Sequence, residues 1–300
     1  MAFSSKGLMA IVIIGACVLA YLIYSKEWKK FFKLKLISGI IAFLISIVPI
    51  LYAYNHQFGT KGIEFILFNQ SVNRLTASGF EENNSDYLFF FHTLLWAFLP
   101  FSLIFYVGVF SRTKFFIANK FKNIKGIEFL TLGGFWLVMI IFSFSKFKLP
   151  HYLNGLIPVI SILTALFLFQ LYEERKLKLL KILWIIQVVV FSLCIVLLGL
   201  VAYYFTGLNN ILLFIGSAVL FAFLIHYLFS KTDPFKKYLV ASLIFAISVN
   251  IFLNSQFYPV LTQYQGGLKL AEYVNSAHID KDKIKMLTGN ETWNFDFYTQ

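Results

Sequence analysis

The chain has 300 residues, of which 59% are hydrophobic and 13% charged, and it carries a net charge of +12. Soluble domains carry about 45–50% apolar and about 25% charged residues, so a water-soluble globular fold is excluded. The positive balance reads as loop charge that orients membrane helices rather than as a nucleic-acid footprint.

A bilayer takes about 20 predominantly apolar residues per helical span. The apolar runs predict about eight spans, near 7–24, 36–54, 89–110, 127–145, 153–171, 182–205, 211–229 and 238–257. The expected fold class is therefore an all-α polytopic membrane protein. Residues 1–257 form its transmembrane bundle, and 258–300 open an extracytoplasmic α/β domain.

In chain order, Met1 to Gly7 has neither a basic n-region nor a small-residue cleavage site, so it is not a signal peptide. Cys17, in the first span, and Cys194, in the sixth, lie in apolar runs without CxxC or Cys/His spacing and read as small hydrophobes. The long loop 55–88 opens with KGIEFILFNQSVNRL, too short and too interrupted to span, and predicts a short helix lying in the membrane interface. Arg74 follows, then Glu81, Glu82 and Asp86. His92 lies near the start of the third span in FFFHTLLWAFLP, a lone intramembrane histidine. The fourth and fifth spans are joined by FSKFKLPHYL, 144–153, where Lys146, Lys148, Pro150, His151 and Tyr152 crowd one hinge. Pro150 is expected to break the helix and free backbone groups there. In the tail, 265–277 has helical periodicity, and KIKMLTG (283–289) and NFDFYT (294–299) read as strands.

The loops 25–35, 111–126, 172–181 and 230–237 hold 17 of the 26 Lys and Arg residues, so they are expected to face the cytoplasm. Loop 55–88, the hinge at 146–152 and the tail then lie outside, as does the start of the chain. Lys146 and Lys148 sit against the orientation rule and need another reason: anion binding as point charges, or snorkelling at the interface. All 14 Asp and Glu residues fall in loops, in the tail or, for Glu128, at the cytoplasmic edge of a span, and none lies at depth, which weighs against a proton-coupled transporter. Acid–base chemistry is left to Glu64, Glu81, Glu82 or Asp86, whose spacing suggests no trained pair.

The stretch FSKFKLPHYLNGLIPVISILTA resembles the K-L-P-x-Y-x-L-P segment of bacterial membrane glycosyltransferases of the GT-C type. These include relatives of dolichyl-phosphate-mannose protein mannosyltransferases and of the aminoarabinose transferases that modify lipid A. GIEFILFNQSVNRLTASGF with YLFFFHTLLWAFLPFSL is similar to their preceding loop and span, and Ser5-Lys6-Gly7 to their Lys-Gly turn. The resemblance implies a bacterial inner-membrane enzyme that moves a sugar from a polyprenyl-phosphate carrier to an extracytoplasmic acceptor (a lipid, glycan or protein). It implies that Lys6, Arg74, Lys146 and Lys148 meet the carrier phosphate, and that His151 and Tyr152 shape the same pocket. A divalent metal is an option for holding the phosphate, and no nucleic acid is involved.

Relatives carry their catalytic carboxylates in a first extracytoplasmic loop that has no counterpart here, and some have Thr where this chain has His151. The chain is therefore expected to be the C-terminal part of such an enzyme, inactive alone, with its catalytic residues unassigned. The alternatives are a lipid-carrier flippase or small-solute transporter, expected to show an internal repeat, and a non-catalytic membrane scaffold.

Overall fold

The computed structural model describes residues 8–31, 33–68, 86–122, 127–146, 148–206, 219, 222–223, 225–227, 229–231, 233–280, 284, 295 and 298–299. These residues are predominantly helical, with no strand among them. Three helices are long and apolar enough to cross a membrane: Leu36–Phe58 with 23 residues, and Leu177–Phe205 and Pro234–Thr262 with 29 each. Three further apolar helices, Ile11–Ser25, Glu128–Phe144 and Ile157–Glu173, are shorter. These helices mark a membrane protein. Their side chains agree: along Leu36–Phe58, Ile37, Ile40, Ile41, Leu44, Ile45 and Val48 are all exposed. In water such a surface would carry a large hydrophobic penalty, whereas lipid tails solvate it.

The chain divides into two compact units, Met1–Lys176 and Leu177–Gln300. The first begins with α1 (Leu8–Ser25), which packs along α6 (Ile127–Phe144). The contact is close because the facing residues are small. Ala20 lies against Gly133 and Cys17 against Gly134, and a Cβ on Gly134 would stand 2.8 Å from the Cα of Cys17. Helices without a hydrophobic drive to associate rely on such small-residue seams.

Helix α2 (Leu34–Phe58) is longer than the expected 36–54 and ends at Gly59, whose φ of 64° suits a glycine. The short α3 (Thr60–Glu64) continues as helical turns to Phe68. This is the helix expected at the start of loop 55–88, but its apolar side is not wholly given to the interface: Ile66 is buried against Ile47 of α2, beside Ile50, Leu51 and Tyr54.

The expected third span is two helices, α4 (Phe89–Ala97) and α5 (Ser102–Ala118). Pro100, in a cis peptide with Leu99, occupies the turn between them and has no N–H for a continuous ladder. Helix α6 ends at Phe144, and α7 (Ile157–Glu173) follows a short 3₁₀ segment, Pro150–Gly155. Pro150 opens that segment rather than breaking one, since a first helical position needs no N–H bond. Phe90 and Leu94 of α4, Phe105 of α5, Phe135, Val138 and Met139 of α6, and Ile160 of α7 with Leu156 just ahead of it fuse these helices into one core.

In the second unit, α8 (Leu177–Val201) meets α9 (Pro234–Phe252) through stacked Phe191 and Phe245, 4.4 Å between centroids. The buried Tyr238 hydroxyl donates to Gln187 Oε1 at 2.8 Å, the kind of interhelical hydrogen bond that apolar surroundings favour. Asp233 caps α9 by accepting from the Phe235 and Lys236 amides. The described residues of the expected span 211–229, from Val219 onward, are helical.

Helix α10 (Gly266–Ser276) bears out the helix expected at 265–277, with Ala271 and Val274 buried beside Phe295. The strand expected at 283–289 lies outside the described residues except for Ile284, which is in no regular element. Phe295 and Tyr298, expected in a strand, are helical; Phe295 packs onto α10, and no neighbouring strand among the described residues offers a ladder.

Candidate functional site

The hinge between α6 and α7 lies beside the start of α4. The Lys148 side chain, 8% exposed, donates from Nζ to the main-chain carbonyl of Asp86 at 2.8 Å. Its ammonium also stands 5.4 Å from the centroid of the Tyr87 ring, within reach of a cation–π attraction. Tyr87 in turn meets Phe144, the last residue of α6, edge to face. Burial lowers the pKa of Lys148, and the Asp86 carboxylate opposes that effect. A lysine that keeps its charge in a covered place needs such partners.

Asp86 stands at the threshold of α4. Its Oδ1 accepts from the Leu88 amide at 2.8 Å, and its Oδ2 lies 2.6 Å from His92 Nε2, one turn into the helix. The His92 hydrogen bond, followed by that of Leu88, holds the Asp86 carboxyl below the usual carboxylate range, and Lys148 adds in the same sense. An ionised carboxylate only accepts, so His92 Nε2 carries the proton of this bond, and Nδ1 of the neutral ring holds the lone pair. Both side chains are about half exposed, 45% for Asp86 and 52% for His92. The Phe89 ring stands edge-on to the imidazole at 5.5 Å.

Of the six residues singled out in the sequence, four lie at this hinge among the described residues, two exposed and two buried. Lys146 and His151 are exposed, whereas Tyr152 is buried in the core between Phe90 and Phe142. Its ring contacts His151 edge to face at 5.0 Å. Lys148 faces inward rather than outward. Lys6 and Arg74 lie outside the described residues, as do Glu81 and Glu82. The sequence reading missed the Asp86–His92 pair by taking the histidine as lone and the carboxylate as one loop acid among several. The available signal was an Asp just ahead of an apolar helix, where capping is the usual role.

The opposite ends of these helices gather separately. Tyr24 of α1 donates to the Phe121 carbonyl and stacks on Phe129, and Arg112 of α5 pairs with Glu128 of α6, with Nε to Oε2 at 2.9 Å. Among the described residues no group of three or more His, Cys, Asp or Glu side chains is placed to hold a metal. Asp86 and His92 supply only two donors, so these residues do not by themselves make a metal site.

Fold and side-chain chemistry together define a helical membrane protein with a structured polar cluster at one end of an apolar bundle. Comparison with family models, with curated proteins and with solved structures finds no match to this chain.

Proposed function

We propose that the chain acts as a bacterial membrane glycosyltransferase that takes a sugar from a polyprenyl-phosphate carrier and passes it to an extracytoplasmic acceptor. The observation that carries this reading is the cation-bearing hinge between two apolar helices. Lys148 pins the Asp86 segment against the hinge, while Lys146 and His151 stay exposed beside it. A lipid phosphate suits that setting: its chains lie along apolar helices and its head group meets ammonium groups at their end.

In this reading Lys146 is the primary phosphate contact and His151 a second donor. Lys148 shapes the mouth and adds positive potential, and Tyr152 is a packing residue behind it. Lys6 and Arg74 join the set through the sequence resemblance. The same reading takes about eight spans, with the basic loops in the cytoplasm and the tail outside.

The reading is tested with the full-length protein in vesicles and a radiolabelled polyprenyl-phosphate-linked hexose. Lys146→Ala is expected to weaken donor binding about tenfold, the scale of one lost hydrogen bond to a charged group. Unchanged donor binding in Lys146→Ala and His151→Ala together removes the hinge from the site. A wild-type protein that binds no donor and transfers no label removes the glycosyltransferase reading altogether.

A further inference from the structure

Sugar transfer from a lipid phosphate needs a base for the acceptor hydroxyl. Among the described residues the carboxylate nearest the hinge is Asp86. Its carboxyl is held below the usual range by the His92 hydrogen bond, which makes it a weak proton acceptor. The imidazole it holds is better placed. His92 Nε2 is engaged by Asp86 at 2.6 Å, its ring is half exposed, and this is the ring's one hydrogen bond among the described residues. The arrangement is that of a base with an orienting carboxylate behind it: one ring nitrogen is fixed by the anion, and the other is turned to a reactant. Lys148 completes it from the hinge by gripping the backbone of Asp86 at 2.8 Å. Among the described residues the charged group in contact with the imidazole is thus Asp86, on the approach to α4, and Lys148 reaches Asp86 from the α6–α7 hinge.

We propose that His92 is the general base of the transfer, with Asp86 as its positioning residue and Lys148 as the clamp on Asp86; this rests on the glycosyltransferase reading above. The acceptor oxygen forms a bond to the anomeric carbon. The bond from that carbon to the phosphate oxygen breaks, and its electron pair departs with the lipid phosphate. The acceptor proton passes to His92 Nδ1. The resulting imidazolium faces the Asp86 carboxylate and returns its proton to water.

The test uses the full-length protein in vesicles with a radiolabelled polyprenyl-phosphate-linked hexose, following donor binding and label transfer separately. His92→Gln keeps an amide that can reach Asp86 but has no basic nitrogen, and its position is exposed enough to spare the fold. It is expected to bind donor as the wild type does and to transfer about 100-fold more slowly, the lower end of what general-base catalysis contributes. Asp86→Asn is expected to slow transfer about tenfold with donor binding unchanged, because the imidazole loses the anion that orients it. A purely structural role for Asp86 would lower donor binding together with transfer. Transfer by His92→Gln within about twofold of wild type, or loss of donor binding in that variant, overturns the base assignment while the glycosyltransferase reading stands. A wild type that neither binds nor transfers overturns both.

Discussion

Asp86 joins three kinds of contact in one residue: its side chain holds the Leu88 amide and the His92 ring, and its carbonyl receives Lys148. The folded protein therefore favours its ionised form, and its pKa lies below the ordinary carboxylate value. By linkage the stabilising share of this group is fully present above the unfolded-state pKa and is lost as pH falls through the folded one. Corrected hydrogen-exchange protection at the Leu88 amide is expected to decline on acidification from neutral pH through the carboxylate range. Asp86→Ala, which has no acceptor for that amide, should show low protection with little pH dependence. A wild-type profile that stays flat would show that the carboxylate does not hold this turn. Little of this was legible in the sequence. The hinge cations stood out because they sit where insertion gives them no reason to be, but burial decides their roles. Lys148 and Lys146 are two positions apart, and one is covered while the other is exposed. Apolar composition on both sides of the hinge gives no means of telling which way each side chain turns.

Helix boundaries were legible wherever an apolar run ended in charges, since the change of solvent from lipid to water is written in composition. The first, fourth and fifth expected spans coincide closely with α1, α6 and α7. The third does not, because an apolar run does not reveal a turn inside it, and Pro100 divides α4 from α5. The seam between α1 and α6 was also hidden, since Gly133 and Gly134 look like any membrane glycines until a partner is placed against them. That seam makes a prediction about packing. A Cβ on Gly134 meets the Sγ, Cα and Cβ atoms of Cys17, and part of that obstacle is backbone, which a change of rotamer does not relieve. Gly134→Val is expected to lower stability by about 1–3 kcal/mol or more, the usual scale of overpacking, seen as a lower thermal unfolding midpoint in detergent. Gly15→Ala on the same α1 has open space around its Cβ and should leave the midpoint unchanged or slightly raised. Equal midpoints for wild type and Gly134→Val would mean that the two helices do not pack through these residues.

For the whole molecule, the electrostatic argument from the sequence and the contacts of the first unit can be set side by side. The basic loops 25–35 and 111–126 adjoin one cluster of helix ends, where Tyr24 reaches Phe121 and Arg112 pairs with Glu128. Asp86, His92 and the hinge lysine meet at another, formed by the start of α4 and the end of α6. A helix carries one group at each end, so a bilayer crossed by α6 separates Glu128 from Phe144 and everything that packs beside them. If the Lys- and Arg-rich ends stay in the cytoplasm, the Asp86–His92–Lys148 cluster faces out, the side that the proposed transfer requires. The prediction is made on single cysteines in a background with Cys17 and Cys194 replaced. Lys146→Cys should react with a membrane-impermeant maleimide added to intact cells. Lys120→Cys and Lys231→Cys, both at exposed positions in basic loops, should react only after the membrane is opened. Labelling of position 120 or 231 from outside, with 146 protected, would turn the molecule over. It would place the hinge on the cytoplasmic face, where an extracytoplasmic acceptor never arrives, and the glycosyltransferase reading would fall with the topology.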